Sequence, residues 1–405
     1  MPKKVEIVTR RIPQIKAYLI NRWRAETEKL KNKKDDERTS HIILGPPGVG
    51  KSQLVQEAAM EIAKSEGRQF VRYFTPVFFD VFSTKLTPFG RQVLDQPDKY
   101  FVYILRKLNE MEPADLLGNP KVVDELAVSM YFPHFWVKLC YLTPGFTVLD
   151  DFLDTQRADT ISAGYGVAQE RLFGDVPSHR DRVIVATSNT PEHSTLSRLM
   201  PTPLATRWEV HEALPPTLEE WCSWMQATYG DAWDKRAYAF LTQTRQNETF
   251  LRVPDEPETN KPYPCPRAWS RLARNAYFGE VWPSSFVGPE VGQQYEAFLA
   301  TNVDINKLLK DPKLWTELEI DAKYMAAYLL SNWIGTHTPK DYPQSYALMD
   351  TILDESSELV TVIFQLTREG ALVNYLVGIS AHDKKYREFT SKILQSRGAL
   401  ARGSI

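Results

Sequence analysis

Two rhythms of apolar residues divide this chain. In its first half short continuous runs stand apart from one another: Ile42–Leu44, Phe101–Leu105, Phe146–Leu149 and Val183–Ala186. Runs this short, with little polar alternation, predict strands buried on both faces. Between them apolar residues recur at helical spacing, as Leu54, Ala58, Ile62 and Ala63 do after the first run. Strand and helix in alternation predict a parallel sheet covered by helices, with ligands at the carboxyl ends of the strands. Ahead of the sheet, Ile15, Tyr18, Leu19 and Trp23 predict a helix, and the charge run KLKNKKDDER reads as its solvated end and a linker.

The second rhythm is helical throughout. Prolines cluster around Ala213–Thr217, and beyond them helical spacing dominates, interrupted by the polar loop VPDEPETNKPYPCP before Arg267. From Pro289 onward the spacing continues, as in Tyr324, Ala327, Tyr328 and Leu330. Trp221, Trp224, Trp269 and Trp333 fall in step with aliphatic residues, which predicts helical core rather than base stacking. The basic positions Lys384, Lys385, Arg387, Lys392, Arg397 and Arg402 read as a solvated, frayed terminus in preference to a nucleic-acid contact.

Composition narrows the class. With 405 residues the chain has material for two or three domains, and 43% hydrophobic with 25% charged residues is ordinary for a soluble globular protein. A net charge of −2 supplies no global field to recruit nucleic acid or acidic membrane. The N-terminal MPKKVEIVTRRIPQ has no apolar export core, and no apolar run reaches spanning length, so a cytoplasmic protein without membrane contact is expected. Cys140, Cys222 and Cys265 lack C-x-x-C or His-paired spacing, which points to neither a zinc site nor a disulfide framework and suits a reducing interior. His134, His179, His193 and His211 show no ligand spacing either.

Three segments carry chemistry. The first, HIILGPPGVGKSQLVQEAAMEIAK (His41–Lys64), has the pattern Gly45-x-x-x-x-Gly50-Lys51-Ser52 between a strand and a helix. Gly45, Pro46, Pro47, Gly48, Val49 and Gly50 form a turn whose backbone N–H groups, with the following helix N-terminus, face a polyphosphate. Lys51 is placed to reach the β- and γ-phosphates of ATP, and the Ser52 hydroxyl to ligate Mg²⁺. The second segment, Thr147-Val148-Leu149-Asp150-Asp151, ends a strand in paired acids. Asp150 is assigned to the metal and Asp151 to polarising the attacking water, against the alternative of a turn or helix cap. In the third, Val183–Asn189, the apolar strand runs into Asn189, which can hydrogen-bond the lytic water or the γ-phosphate.

In this order the segments resemble the AAA+ ATPases, and within them the MoxR-type, dynein-related branch with its bacterial and phage members. MEPADLLGNP (Met111–Pro120) is similar to the segment preceding that branch's second-helix insert, and PTPLATRW (Pro201–Trp208) to the segment bearing its arginine finger, which matches Arg207. PCPRAWSRLAR (Pro264–Arg274) is similar to the lid segment carrying the sensor-2 arginine, matched by Arg267, and VGPEVGQQYEAFL (Val287–Leu299) to a lid helix. The resemblance implies an α/β P-loop NTPase sheet sandwiched by helices (an AAA+ core), then an α-helical lid and a helical C-terminal extension. The matching layout is an N-terminal helix and linker over 1–39, the core over 40–212, the lid over 213–300 and the extension over 301–405. It further implies ATP and Mg²⁺ as cofactors, catalytic roles for Asp151, Asn189, Arg207 and Arg267, and a self-assembled ring, commonly a hexamer, because the finger acts across a subunit boundary. The expected partner is a protein client, often a von Willebrand factor A-domain protein, contacted by an insert within Asn119–Leu139. The family's second strand-end acid is usually Glu; Asp151 is one methylene shorter, which points to weak turnover. A nucleic-acid-handling motor and a nucleotide-gated scaffold with little hydrolysis stand as alternatives. The span between Arg171 and Val183 is short for the family's hairpin, and residues 82–99 match none of its elements.

Overall fold

The computed structural model describes residues 9–31, 38–123, 128–192, 194, 197–244, 247–252, 261–387, 389–391 and 393. Most of the charge run, much of the proline-rich loop, His193, Lys392, Arg397 and Arg402 lie outside the described residues. Two compact units divide the chain between Pro215 and Pro216.

Eleven strands occur among the described residues: β1 (Thr9–Arg11), β2 (His41–Leu44), β3 (Gln69–Arg72), β4 (Tyr100–Lys107), β5 (Asn119–Val123), β6 (Val128–Phe132), β7 (Gly145–Asp150), β8 (Leu172–Phe173), β9 (Val176–Pro177), β10 (Arg182–Ser188) and β11 (Glu209–Leu214). Seven form one sheet in the order β1-β11-β2-β10-β7-β4-β3, and every pair in it is parallel. The four apolar runs are strands β2, β4, β7 and β10, all at or near its centre. Alternate residues serve opposite faces. Ile43, Phe101, Tyr103, Phe146, Val148, Val183 and Val185 pack under α1 (Ile12–Lys31) and α2 (Lys51–Ser65), through Ile15, Leu19, Trp23, Leu54 and Ala58. On the other face Ile42, Val102, Ile104, Leu149, Ile184 and Ala186 meet helices Phe135–Leu142 and Ala158–Gln169. The first unit is therefore the expected α/β arrangement, a parallel sheet between two helical layers.

A buried cation ties down the starts of the central strands. Arg182, fully buried at the first position of β10, donates to the carbonyls of Val102, Cys140 and Thr143 and to Thr147 Oγ1 at 2.9–3.2 Å. Burial pushes its guanidinium below the ordinary arginine range, and this many acceptors offsets a desolvation cost of several kcal/mol.

Strands β5 and β6 pair antiparallel as a separate hairpin inside the segment 119–139. Its Val122, Val128, Met130, Tyr131 and Phe132 are exposed, whereas Trp136, Val137 and Leu139 just beyond it are core. A second, two-residue hairpin, β8–β9, occupies the span before β10. In the segment 82–99 the chain forms a short helix, Pro88–Asp95, capped by Thr87 Oγ1, with Phe82 fully exposed ahead of it.

The described part of the second unit is helical, and one continuous core links Trp221 near its start to Ile393 near its end. Trp221, Trp269 and Trp333 are buried in that core, and Trp224 packs against it. Trp269 Nε1 donates to the Thr249 carbonyl at 2.7 Å, so the indole's one polar group is satisfied. Among the described residues no helix is long and apolar enough to cross a membrane.

Candidate functional site

Strand β2 ends at Leu44, and the chain turns through 45–50 before α2 begins at Lys51. Gly45 has φ 157°, and a Cβ there would stand 2.6 Å from the Ala213 carbonyl oxygen of β11. No side chain fits at that crossing. Gly48 and Gly50 take φ 77° and 104°. Pro46 and Pro47 carry no N–H, so beyond Gly45 the loop's donors resume at Gly48. The first helical bond, Leu54 N–H to Gly50 O at 2.9 Å, leaves the amides before it without helical acceptors. Such a terminus, opening on a lysine and closing a glycine turn, suits an anion.

Three neighbouring strands deliver the side chains. Parallel register sets Ser188 of β10 beside Leu44 of β2 and Ala186 beside Leu149 of β7, so the carboxyl ends of all three strands meet at the loop. Ser52 Oγ donates to Asp150 Oδ1 at 2.7 Å. Thr187 Oγ1 donates to the same oxygen. Lys51 Nζ, nearly buried, donates to Gly45 O at 2.9 Å, Pro46 O at 2.8 Å and Asn189 Oδ1 at 2.9 Å. Thus the consecutive residues Lys51 and Ser52 each pair with a residue far along the chain, Asn189 and Asp150 respectively. A hydroxyl and a carboxylate in contact offer a hard, all-oxygen donor set of the kind Mg²⁺ takes alongside phosphate oxygens.

Asp151 occupies the left-handed region at φ 55°, an uncommon conformation for a residue with a side chain. Its Oδ2 accepts from Asn109 Nδ2 at 3.3 Å. Burial, then the charges of Asp150 and Asp154, push its carboxyl above the ordinary carboxylate range, against the pull of Lys51 and Lys107. A raised carboxyl beside a phosphate loop is a candidate proton acceptor.

Asp154, Thr187 and Asn109 extend the group beyond the residues the motifs single out. Asn189 Nδ2 donates to Asp154 Oδ2 at 2.8 Å, and Asp154 Oδ1 is buried without a hydrogen-bond partner. The third acid of Asp150-Asp151-Phe152-Leu153-Asp154 was a visible signal for Asp154, and a polar residue closing an apolar strand was one for Thr187.

Arg207 has partners of its own within the first unit. Arg207 follows the short helix Thr202–Ala205; its Nε donates to Gln169 Oε1 at 2.5 Å, a second nitrogen donates to the Pro203 carbonyl, and the guanidinium lies 5.4 Å from the Tyr165 ring centroid. Arg267 belongs to the second unit, exposed in the first turn of helix Pro266–Phe278.

No family model matches the sequence. No curated protein matches it either. Among solved structures, the chain is similar to the Aeropyrum pernix ORC1 protein in complex with DNA, at 12% identity and a TM-score of 0.35 over 90% of this chain and 85% of that one. The Aeropyrum pernix ORC2 protein aligns at 11% identity and a TM-score of 0.34 over 98% and 88%. C. elegans PCH-2 aligns at 13% identity and a TM-score of 0.29 over 72% of this chain, which spans 63% of the PCH-2 chain. With these scores, the functional reading rests on the geometry of the site itself.

Proposed function

We propose that this protein is an ATP-hydrolysing AAA+ ring protein of MoxR type that remodels a protein client. One observation carries the nucleotide part of this reading: the Ser52–Asp150 contact at 2.7 Å and the Lys51–Asn189 contact at 2.9 Å converge on a glycine turn at the carboxyl ends of adjacent parallel strands. Lys51 would exchange its loop carbonyls for β- and γ-phosphate oxygens, the strong charge-assisted bonds in this exchange. Ser52 and Asp150 would hold Mg²⁺, which when bound supplies charge neutralisation across the phosphate oxygens. Asp151 accepts a proton from the attacking water, and Asn189 orients that water or reads the γ-phosphate. Arg207 serves the site of a neighbouring subunit, and Arg267 supplies a second guanidinium from the helical unit.

The client reading is supported by the hairpin β5–β6, which presents Val122, Met130, Tyr131 and Phe132 to solvent with a single Lys121 among its described charges. Apolar and aromatic exposure of this kind suits a protein surface better than a phosphate backbone. A von Willebrand factor A-domain partner follows from the family resemblance. Trapping tests the reading: Asp151→Asn in the presence of ATP should retain nucleotide and capture ring and client together, with capture lost when Tyr131 and Phe132 become Ser. Wild-type protein that binds no ATP would end the proposal. A nucleotide-gated scaffold is the second reading, favoured by the short Asp151 side chain held by Asn109; single-turnover hydrolysis separates the two.

A further inference from the structure

At the opposite end of β2 from the glycine turn, three ligand-type side chains meet. His41 opens β2, Glu209 opens β11 directly beside it, and His211 lies two residues along β11. The sequence showed no ligand spacing for His211 because its histidine partner, His41, comes from another strand. Their ligand atoms all lie within 4.8 Å of one another. His41 Nδ1 stands 3.2 Å from His211 Nε2 and 3.5 Å from Glu209 Oε2.

Those spacings have a specific meaning. With zinc bonds of about 2.0–2.2 Å, two ligands of a tetrahedron stand about 3.3–3.6 Å apart. Both of these separations lie within about 0.1 Å of that edge, and the third, His211 to Glu209, is no more than 4.8 Å, so an ion would have to draw only those two ligands closer. Both rings are at most 2% exposed, while Glu209 is 30% exposed, which leaves one open side for entry and for a solvent ligand. An imidazole ligates through a neutral ring nitrogen, and the burial of both rings favours that neutral form. Tyr18 of α1 donates its hydroxyl to the other carboxylate oxygen, Oε1, fixing Glu209 as an outer partner fixes a metal ligand. Arg22 Nε, 4.0 Å from Glu209 Oε2, opposes a cation but is engaged more closely by Glu26 at 3.0 Å.

We infer that His41, Glu209 and His211 form a binding site for one divalent transition cation of the zinc class, clamping β2 to β11 at the end of the sheet away from the nucleotide loop. Two imidazoles and one carboxylate select this class over Mg²⁺ or Ca²⁺, which take oxygen. In the ion-free protein a proton between His41 Nδ1 and His211 Nε2 holds the rings together. On binding, that proton moves to a ring's outer nitrogen by tautomer change, so both facing lone pairs meet the ion and no net proton is lost.

The test is zinc titration of the chelator-stripped full chain, without Mg²⁺ or nucleotide, against a chromophoric competitor. One equivalent should bind, and the melting temperature should rise with it. His211→Gln should weaken binding by about 100-fold or more, the upper end of what losing even an outer partner of a ligand does. Asp150→Asn, which alters the loop's acid, should bind as wild type does. His211→Cys should restore a ligand and give Co²⁺ a sulfur charge-transfer band. If His211→Gln does not fold by circular dichroism, Glu209→Gln, partly exposed at its strand start, decides by the same loss. Absence of a stoichiometric site in wild type, equal affinity in the ligand variants, or loss in Asp150→Asn instead overturns the proposal.

Discussion

Asn189 donates from Nδ2 to Asp154 Oδ2 at 2.8 Å, and this bond turns the amide so that its Oδ1 meets Lys51 Nζ at 2.9 Å. An amide is nearly symmetric in shape, so without the carboxylate nothing distinguishes its oxygen from its nitrogen. Asp154 is thus a positioning residue that acts through Asn189. A hydrogen bond to a charged group contributes about 1.5–3 kcal/mol, so Asp154→Ala should lower kcat by roughly 10–100-fold. Because the loop and Lys51 stay in place, ATP affinity measured by calorimetry should change little. A variant that lost affinity and turnover together would show that Asp154 supports the loop's structure instead.

Lys51 contributes the only side-chain cation described within the group, and the three hydrogen-bond partners named above are neutral oxygens that phosphates can replace. Lys51→Ala should abolish tight ATP binding in calorimetry while leaving the helical circular dichroism unchanged. Retained affinity would remove the foundation of the nucleotide reading.

Asp151 links the site to pH. Its carboxyl is raised from the ordinary 3.8 by burial and by Asp150 and Asp154. Only the ionised form accepts a proton, so ATP turnover should fall as pH drops through a value above the usual carboxylate range. Asp151→Asn should remove that acid limb and cut turnover by about 10²–10⁴, the contribution of a general base, with ATP still bound. Asp154→Asn removes one of the charges that raise Asp151, so the limb should move to lower pH. A limb that stays fixed in the Asp154 variant would assign the titration to another group.

Legibility in the sequence followed burial. Strands β2, β4, β7 and β10 are covered on both faces and so appear as apolar runs. The strands β1 (TRR), β3 (QFVR) and β11 (EVHEAL) are near the sheet's edges and carry polar residues on exposed or specially paired positions, which leaves no run to see. The hairpin β5–β6 was hidden for the opposite reason: its apolar residues are exposed, so they follow no core pattern. In the site, Lys51, Ser52, Asp150 and Asn189 were readable because backbone geometry ties each to a local motif. The Asp154–Asn189 bond and the His41–His211 contact depend on which strands become neighbours, and spacing along the chain does not encode that.

Arg207 poses a question that a single subunit cannot answer. Its guanidinium rests on Gln169, the Pro203 carbonyl and the Tyr165 ring, contacts that can hold a finger ready for a neighbour. If it acts in trans, Arg207→Ala should leave ATP binding nearly intact, since each subunit keeps its own loop, lysine and acids. Hydrolysis should nevertheless fall by about the 10³–10⁵ that arginine fingers supply. Mixing then separates the two geometries. A subunit with Arg207→Ala keeps an intact loop, and one with Lys51→Ala keeps an intact finger. Each alone should be nearly inactive, yet a mixed ring juxtaposes a working loop with a working finger and should recover part of the activity. In rings shown by native mass spectrometry to contain both subunits, absence of recovery would mean that Arg207 acts within its own chain or not at all.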